Sequence, residues 1–485
     1  MTVRGAGALA VLAGAVYLLT APGRIEFPDD EVVFQTAVSL WEDGDLMIAG
    51  IPKRTGEPKG RPDGTFGVAD VDGRRYGFFG HGLSLVALPL VAIAEVTAPA
   101  VPPTWAHAVR SDHYVFHRRE PRADWLRLVV SLVNCVVTAA TVGLLALWLR
   151  ALGFAERTAL VTAGAFALAT SAWAYSRTML SEPLSGLCVV AAAYCVTRWR
   201  GAGSRWLWLA GAIVGFSLHV HALNVTLLPC AIGLALAYGR GDRRGWIGAA
   251  GLLALAAGLL LLGQWWRFGD PLETGRFGHY SWFVWPWEGL AGLLVGPGRS
   301  FWLYSPAAAL GLLGWAALRR RGAVVWWFAV GTMLLRWLVI STRSDWYGGW
   351  GLGARHLVPV IPLAMLGFAA ALEDVVPGWA RWRRVCWWIG VGLAVGLSGW
   401  FGVHSIFEWM ARLMMRMDGS GYIAASHWSP SASPVVGFAG QPVDMLSVGA
   451  IKLARVGVWG PALGFVVVGG VGAGALVAVV RALRR

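Results

Sequence analysis

The sequence predicts an all-α polytopic membrane protein. Three observations point there. Of 485 residues, 56% are hydrophobic and 14% charged, with a mean hydropathy of +0.57. Apolar runs of about 20 residues, each long enough to cross a bilayer, recur along the chain. Arginine clusters fall in every second connection between them.

The first run, 5–21 (GAGALAVLAGAVYLLTA), reads as a membrane helix. No A-x-A site ends it, which favours a retained helix over a cleaved signal peptide. Further spans are expected at 126–149, 157–175, 181–198, 206–221, 223–239, 246–264, 304–318, 324–341, 355–373, 386–404 and 457–480. The total is about 12, within 11–13. Arg150/Arg157, Arg198/Arg200/Arg205, Arg240/Arg243/Arg244, Arg319–Arg321, Arg381/Arg383/Arg384 and the tail Arg481/Arg484/Arg485 then share one side. By the positive-inside rule that side is cytoplasmic, in a multi-pass protein of the inner (plasma) membrane. The connections SRTMLSEP, HVHALN and STRSDWYGGWG, poor in arginine, fall outside.

The segment 82–98 would break this parity if it crossed. With Pro89 and Glu95 inside it, it reads as a helix lying on the outer surface. Three long segments are then extracytoplasmic: 22–125, 265–303 and 405–456, and Lys53, Lys59 and Lys452 fall on them. The expected division is a transmembrane module over 1–404 with its first outer loop at 22–125, an outer segment over 405–456, and a last helix with a basic tail over 457–485.

Composition also excludes. The net charge of +14 would suit nucleic acid, but no basic stripe exists outside the inter-span clusters. The five cysteines lie in apolar runs and read as small packing residues, with neither a disulfide framework nor a metal cluster. Walker, Rossmann and HExxH motifs have no fitting context. Within the spans, Arg336 and Asn134 are the main polar residues, whereas an ion-coupled transporter needs intramembrane Asp, Glu or Lys. The chemistry is therefore expected on the outer face.

There, FPDDEVVFQTAVSLWEDGDL places Asp29, Asp30 and Glu31 ahead of Val32, Phe34, Val38 and Leu40, apolar at helical spacing. Crowded carboxylates near a membrane raise one another's proton affinity, so all three are candidate catalytic groups. RRYGFFGHGLSL leads through His81 into the surface helix. GPGRS puts Arg299 on a Gly-Pro turn beside a span, at a height suited to a phosphate. STRSDWYGGWGLGARHLVPVIP sets Arg343 and Arg355 on either side of a glycine-rich turn, with Arg355 and His356 opening a span from outside. A cation there runs against the inside-positive pattern, which marks Arg355 as an anion-binding candidate. His219 and His221 in HVHALN carry a weak metal-ligand signal.

The order of PDDEVVFQTAVSLWEDGDL, YGFFGHGLSLVALPL, YSRTMLSEPLSG, RFGDPLETG, LLVGPGRSFWLYSP and WYGGWGLGARHLVPVIPLAMLG, over residues 5 to about 375, resembles the GT-C superfamily of membrane glycosyltransferases, in particular family 39-like enzymes. The resemblance implies a GT-C-like fold and an inverting hexosyl- or pentosyltransferase with its active site on the extracytoplasmic face. The implied donor is a polyprenyl-phosphate sugar, and the acceptor a glycan, lipid or protein. Carried over, Asp30 is the base for the acceptor hydroxyl and Glu31 its acidic neighbour, with Asp29 as the alternative register; by their own positions His81, Arg299, Arg343, Arg355 and His356 are the candidate substrate-binding residues. The resemblance admits a divalent metal ion bridging acid and phosphate, for which the sequence places no ligands. His81 stands where many relatives have Pro, and HVHALN where many have Arg-Pro. Readings from other classes are a lipid-linked glycan transporter or flippase, and a non-catalytic membrane scaffold.

Overall fold

A computed structural model describes residues 3–48, 67–108, 121–239, 241–276, 283–440, 446–455 and 459–484. Lys53, Lys59, Arg240 and Arg485 lie outside the described residues, as does the side chain of Lys452. The described residues form a bundle of helices with one two-stranded antiparallel hairpin, β1 (Val68–Val71) and β2 (Arg74–Gly77). Glycine at 73 makes the hairpin turn with φ +81°.

Helices lie over each expected span, but not all are continuous. The span expected at 304–318 is broken into Phe301–Tyr304, Pro306–Gly311, a 3-10 turn and Trp315–Arg321, because Pro306 can only start a helix. The span at 355–373 begins with a 3-10 turn, Arg355–Val360, that contains Pro359. Among the described residues, seven helices are long and apolar enough to cross a membrane by themselves, and Gly82–Ala100 is one of them. The expected count of 12 is therefore not reproduced by length and hydropathy. The segment read as surface-lying also has the dimensions of a span: α3 (Gly82–Thr97) accommodates Pro89 internally, and its Glu95 is paired with Arg122.

The main core joins α1 (Val3–Thr20) to the helices Val133–Ala151, Glu156–Leu168, Glu182–Ala202 and Ile361–Ala370. A smaller core lies beside it. Val33, Phe34 and Ala37 of α2 (Pro28–Glu42) meet Leu83, Ala87 and Val91 of α3, and both meet Leu126 and Val130. Burying such a stripe contributes about 25 cal/mol per Å², and it fixes the start of α2 against the bundle. Val38 and Leu40 of the expected stripe are only half-buried, while Val33 and Ala37 are buried in their place.

The arginine-rich connections gather at one end. Arg321 pairs with Glu373, whose other oxygen accepts from the Ala155 N–H at 2.8 Å. Asp242 accepts from Trp199 and Ser204, tying two more of these connections together. The acids of α2 lie at the opposite end of α1.

Candidate active site

The first turn of α2 sends three adjacent acids to three destinations. Pro28 opens the helix, where its fixed φ fits and its missing N–H costs nothing. The helix dipole favours the negative charges that follow. Glu31 turns to Arg127: Nη2 donates to Oε1 at 2.8 Å and Nε to Oε2 at 3.1 Å, with the guanidinium over the Phe34 ring. Asp29 accepts from Arg355 Nη2 at 2.8 Å. Asp30 is 2% exposed, and its Oδ1 has no hydrogen-bond partner among the described residues. Burial pushes the Asp30 carboxyl well above the ordinary carboxylate range, and the charges of Asp29 and Glu182 add to it; the Met179 main chain and Arg355 pull the other way and lose.

Arg355 is the hub. Its Nε donates to Oε1 of Glu182 at 2.8 Å while Nη2 holds Asp29, and Nη1 carries no hydrogen bond among the described residues. Glu182 is the first residue of the helix Glu182–Ala202 and is fully buried. His356 Nδ1 lies 3.5 Å from the same Oε1, and the His221 ring sits 5.9 Å from that of His356. Arg336, buried in the helix Ala323–Ser341, positions both histidine-bearing turns: Nε donates to the His356 carbonyl at 2.7 Å and Nη1 to Asn224 Oδ1 at 3.0 Å.

The glycine-rich loop explains how Arg355 is seated. A Cβ on Gly348 would stand 2.9 Å from the Arg355 Cβ, at φ +71°, and one on Gly351 would stand 2.8 Å from its Cδ. Only glycine lets the loop wrap the arginine stem this closely. Tyr175 Oη donates to the Leu352 carbonyl at 2.7 Å. Arg299 braces the same loop. It is 2% exposed and donates to the carbonyls of Gly349 (3.0 Å) and Gly351. The residue expected at a phosphate thus makes its bonds to the loop that carries Arg355. Arg343 makes a two-pronged pair with Asp345, 2.7 Å on each arm, which outweighs burial and holds that carboxyl down at about 2.

His81 belongs to a second group. His219 Nε2 faces the Ala256 carbonyl at 2.8 Å, so it carries a proton, and His219 Nδ1 accepts from His81 Nε2 at 2.9 Å. Burial first, then Arg267 and His219, bring the His81 imidazole down to about 4, so it is neutral near pH 7. Gly80 lies against the His219 carbonyl, where a Cβ would be 2.4 Å away. The two histidines of HVHALN thus part company, His219 to His81 and His221 to His356.

Residues beyond 404 pack against the segment that leads into α2 and against the glycine-rich loop. Arg24 bridges Glu26 and Glu408, and Ser405 and Ser447 both bond Glu26. Phe407 packs edge-on to Phe27 and against Trp350, while His427 lies on Tyr347 with ring centroids 4.6 Å apart. Ser426 meets Arg299.

Sequence reading assembled Asp29, Asp30, Arg355 and His356, and the structure brings them together. It missed Glu182, Arg127 and Tyr175. A signal for Glu182 existed in SRTMLSEP: an acid at the first position of an apolar span.

A divalent metal has one candidate donor set among the described residues. Ligand atoms of Glu182, His221 and His356 lie within 4.8 Å of one another. Their hydrogen bonding does not fit an ion. His221 Nδ1 accepts from the Leu223 N–H at 3.0 Å, which spends that lone pair and leaves the proton on Nε2. Glu182 Oε1 serves Arg355, while Glu182 Oε2 and His356 Nδ1 have no hydrogen-bond partner among the described residues, so His221 is the member that does not fit.

No family model matches the chain, and no curated protein matches it. Solved structures do. ArnT from Cupriavidus metallidurans in the apo state aligns over 98% of this chain and 75% of its own, with a TM-score of 0.51 and 15% identity. The same protein bound to undecaprenyl phosphate aligns over 92% and 78%, with a TM-score of 0.50 and 13% identity. The apo oligosaccharyltransferase of Archaeoglobus fulgidus covers 88% of this chain and 60% of its own, at TM-score 0.49 and 11% identity. At such identities the likeness is one of fold, shared with ArnT along nearly the whole of this chain.

Proposed function

We propose that this chain is a membrane glycosyltransferase that moves a hexosyl or pentosyl group from a polyprenyl-phosphate donor to a hydroxyl of a glycan, lipid or protein on the extracytoplasmic face. One observation carries the reading: Asp30 is a buried carboxylate with an unpartnered oxygen, next to an arginine that two other acids hold in place. The ArnT fold solved with undecaprenyl phosphate supports the donor class.

The geometry suggests a division of labour. The acceptor hydroxyl gives its proton to Asp30 Oδ1 as its oxygen bonds to the anomeric carbon. The bond from that carbon to the phosphate oxygen breaks on the opposite face, so configuration inverts. The departing polyprenyl phosphate takes the electron pair, and Arg355 Nη1 meets its charge. A positioned base contributes typically about 10²–10⁴-fold, and its raised proton affinity strengthens it once ionised. Asp29 and Glu182 aim the guanidinium, and Arg299 holds its loop. Glu31 is a positioning residue through Arg127.

The test uses purified protein in nanodiscs with a panel of undecaprenyl-phosphate sugars and an envelope extract as acceptor, reading release of undecaprenyl phosphate. Transfer by the wild type should fall at least about 10²-fold in Asp30→Asn, with undecaprenyl-phosphate binding kept. Full transfer by Asp30→Asn would remove the base. Donor binding without turnover in the wild type would favour a lipid-linked glycan flippase or a scaffold.

A further inference from the structure

Asp29 and Glu182 reach the same point from two distant elements, α2 and the helix Glu182–Ala202. Two carboxylates converging on one buried point demand a cation between them. In many phosphate-handling sites that cation is a divalent metal, which bridges acids and phosphate oxygens together. Here the place is filled by a side chain. Arg355 Nε and Nη2 each make a 2.8 Å bond, one to each acid, and Nη1 carries no hydrogen bond among the described residues. The planar fork fixes all three directions, as a lysine ammonium would not.

The neighbouring residues are arranged for a guanidinium. Glycines at 348 and 351 leave room for its stem, and Arg299 and Tyr175 brace the loop that covers it. The only donor set with metal-ligand chemistry among the described residues, Glu182–His221–His356, has a protonated His221 Nε2, and one carboxylate oxygen of Glu182 is held by the Arg355 guanidinium, whose charge repels a second cation. Arg336, whose Nη2 has no partner among the described residues, adds a second positive charge close to Glu182.

We propose that Arg355 is the resident cation of this site, standing between Asp29 and Glu182 where a divalent metal would otherwise bridge them, and that the site takes up no metal. For catalysis the inference rests on the glycosyl-transfer reading, but its test does not, because metal uptake is measured without turnover.

Full-length protein in nanodiscs is stripped with chelator and titrated with Mn²⁺ followed by electron paramagnetic resonance, with Zn²⁺ as competitor. The wild type should show no site tighter than about 1 mM. Arg355→Met leaves the two acids facing each other and should gain one Mn²⁺ per chain, with Tm rising as Mn²⁺ is added. The double variant Arg355→Met/Glu182→Gln should lose that gain. A wild-type site that Glu182→Gln abolishes would overturn the proposal, and titration of the wild type alone reveals such a site. A monodisperse Arg355→Met variant that takes up no Mn²⁺ would overturn it as well.

Discussion

The two ends of the helical bundle hold ion pairs of different kinds. At the arginine-rich end, Arg321 reaches Glu373 and Asp374 with side chains 20–32% exposed. At the other, Arg355 is 13% exposed, Asp29 13% and Glu182 1%. Water screens the first group and largely abandons the second. A surface pair is worth about 0–1 kcal/mol, whereas removing one member of a buried pair costs about 3–5 kcal/mol because a bare charge is left behind. Burying five charged or polar side chains around one point is a poor way to stabilise a bundle, and such clusters mark sites of function.

The largest expected effect sets these ends against each other. Arg355→Ala should destabilise by about 3–5 kcal/mol and weaken undecaprenyl-phosphate binding, while Arg321→Ala should cost no more than about 1 kcal/mol and leave binding alone. Arg355→Lys should recover only part, since it keeps charge but not the fork. Thermal unfolding and a lipid-binding assay on the three variants decide this. Equal losses at both ends would erase the distinction.

A smaller effect separates Asp30 from its neighbours. Its carboxyl is raised in the folded state, so the native protein binds a proton that the unfolded chain has released. That contribution is fully present below the ordinary carboxylate range and is lost as pH rises through the raised value. Asp30→Asn should therefore match the wild type at low pH and exceed it at high pH, by a Tm on the order of a few degrees. Transfer should show the opposite sign, rising with pH through the same raised value as Asp30 becomes a base. A Tm difference independent of pH would mean that Asp30 is not held protonated by burial.

The last prediction carries no energy but tests which end is which. Single cysteines at Gly73, on the hairpin turn, and Gly322, after the Arg319–Arg321 cluster, should label from opposite sides in a background lacking the five native cysteines. Labelling from one side would mean that α3 crosses, as its length and hydropathy permit.

The sequence by itself determined the membrane class and brought forward the acids at the start of α2. Those properties are local: apolar length, arginine placement and three acids at a helix start act over a few residues. The sequence also carried Arg355 and His356, because a glycine-rich turn beside a cation away from the arginine clusters is unusual. Only the tertiary structure decided the pairings. It matched Arg355 with Glu182 across 173 positions and with Asp29 across 326. It assigned Glu31 to Arg127, turned Arg299 onto the loop, and parted His219 from His221. It broke the span at 304–318, where an unbroken apolar count conceals Pro306. A charge alone in sequence has no partner until the bundle closes, and in a low-dielectric interior the partner decides whether a carboxylate is a base, a brace or a clamp.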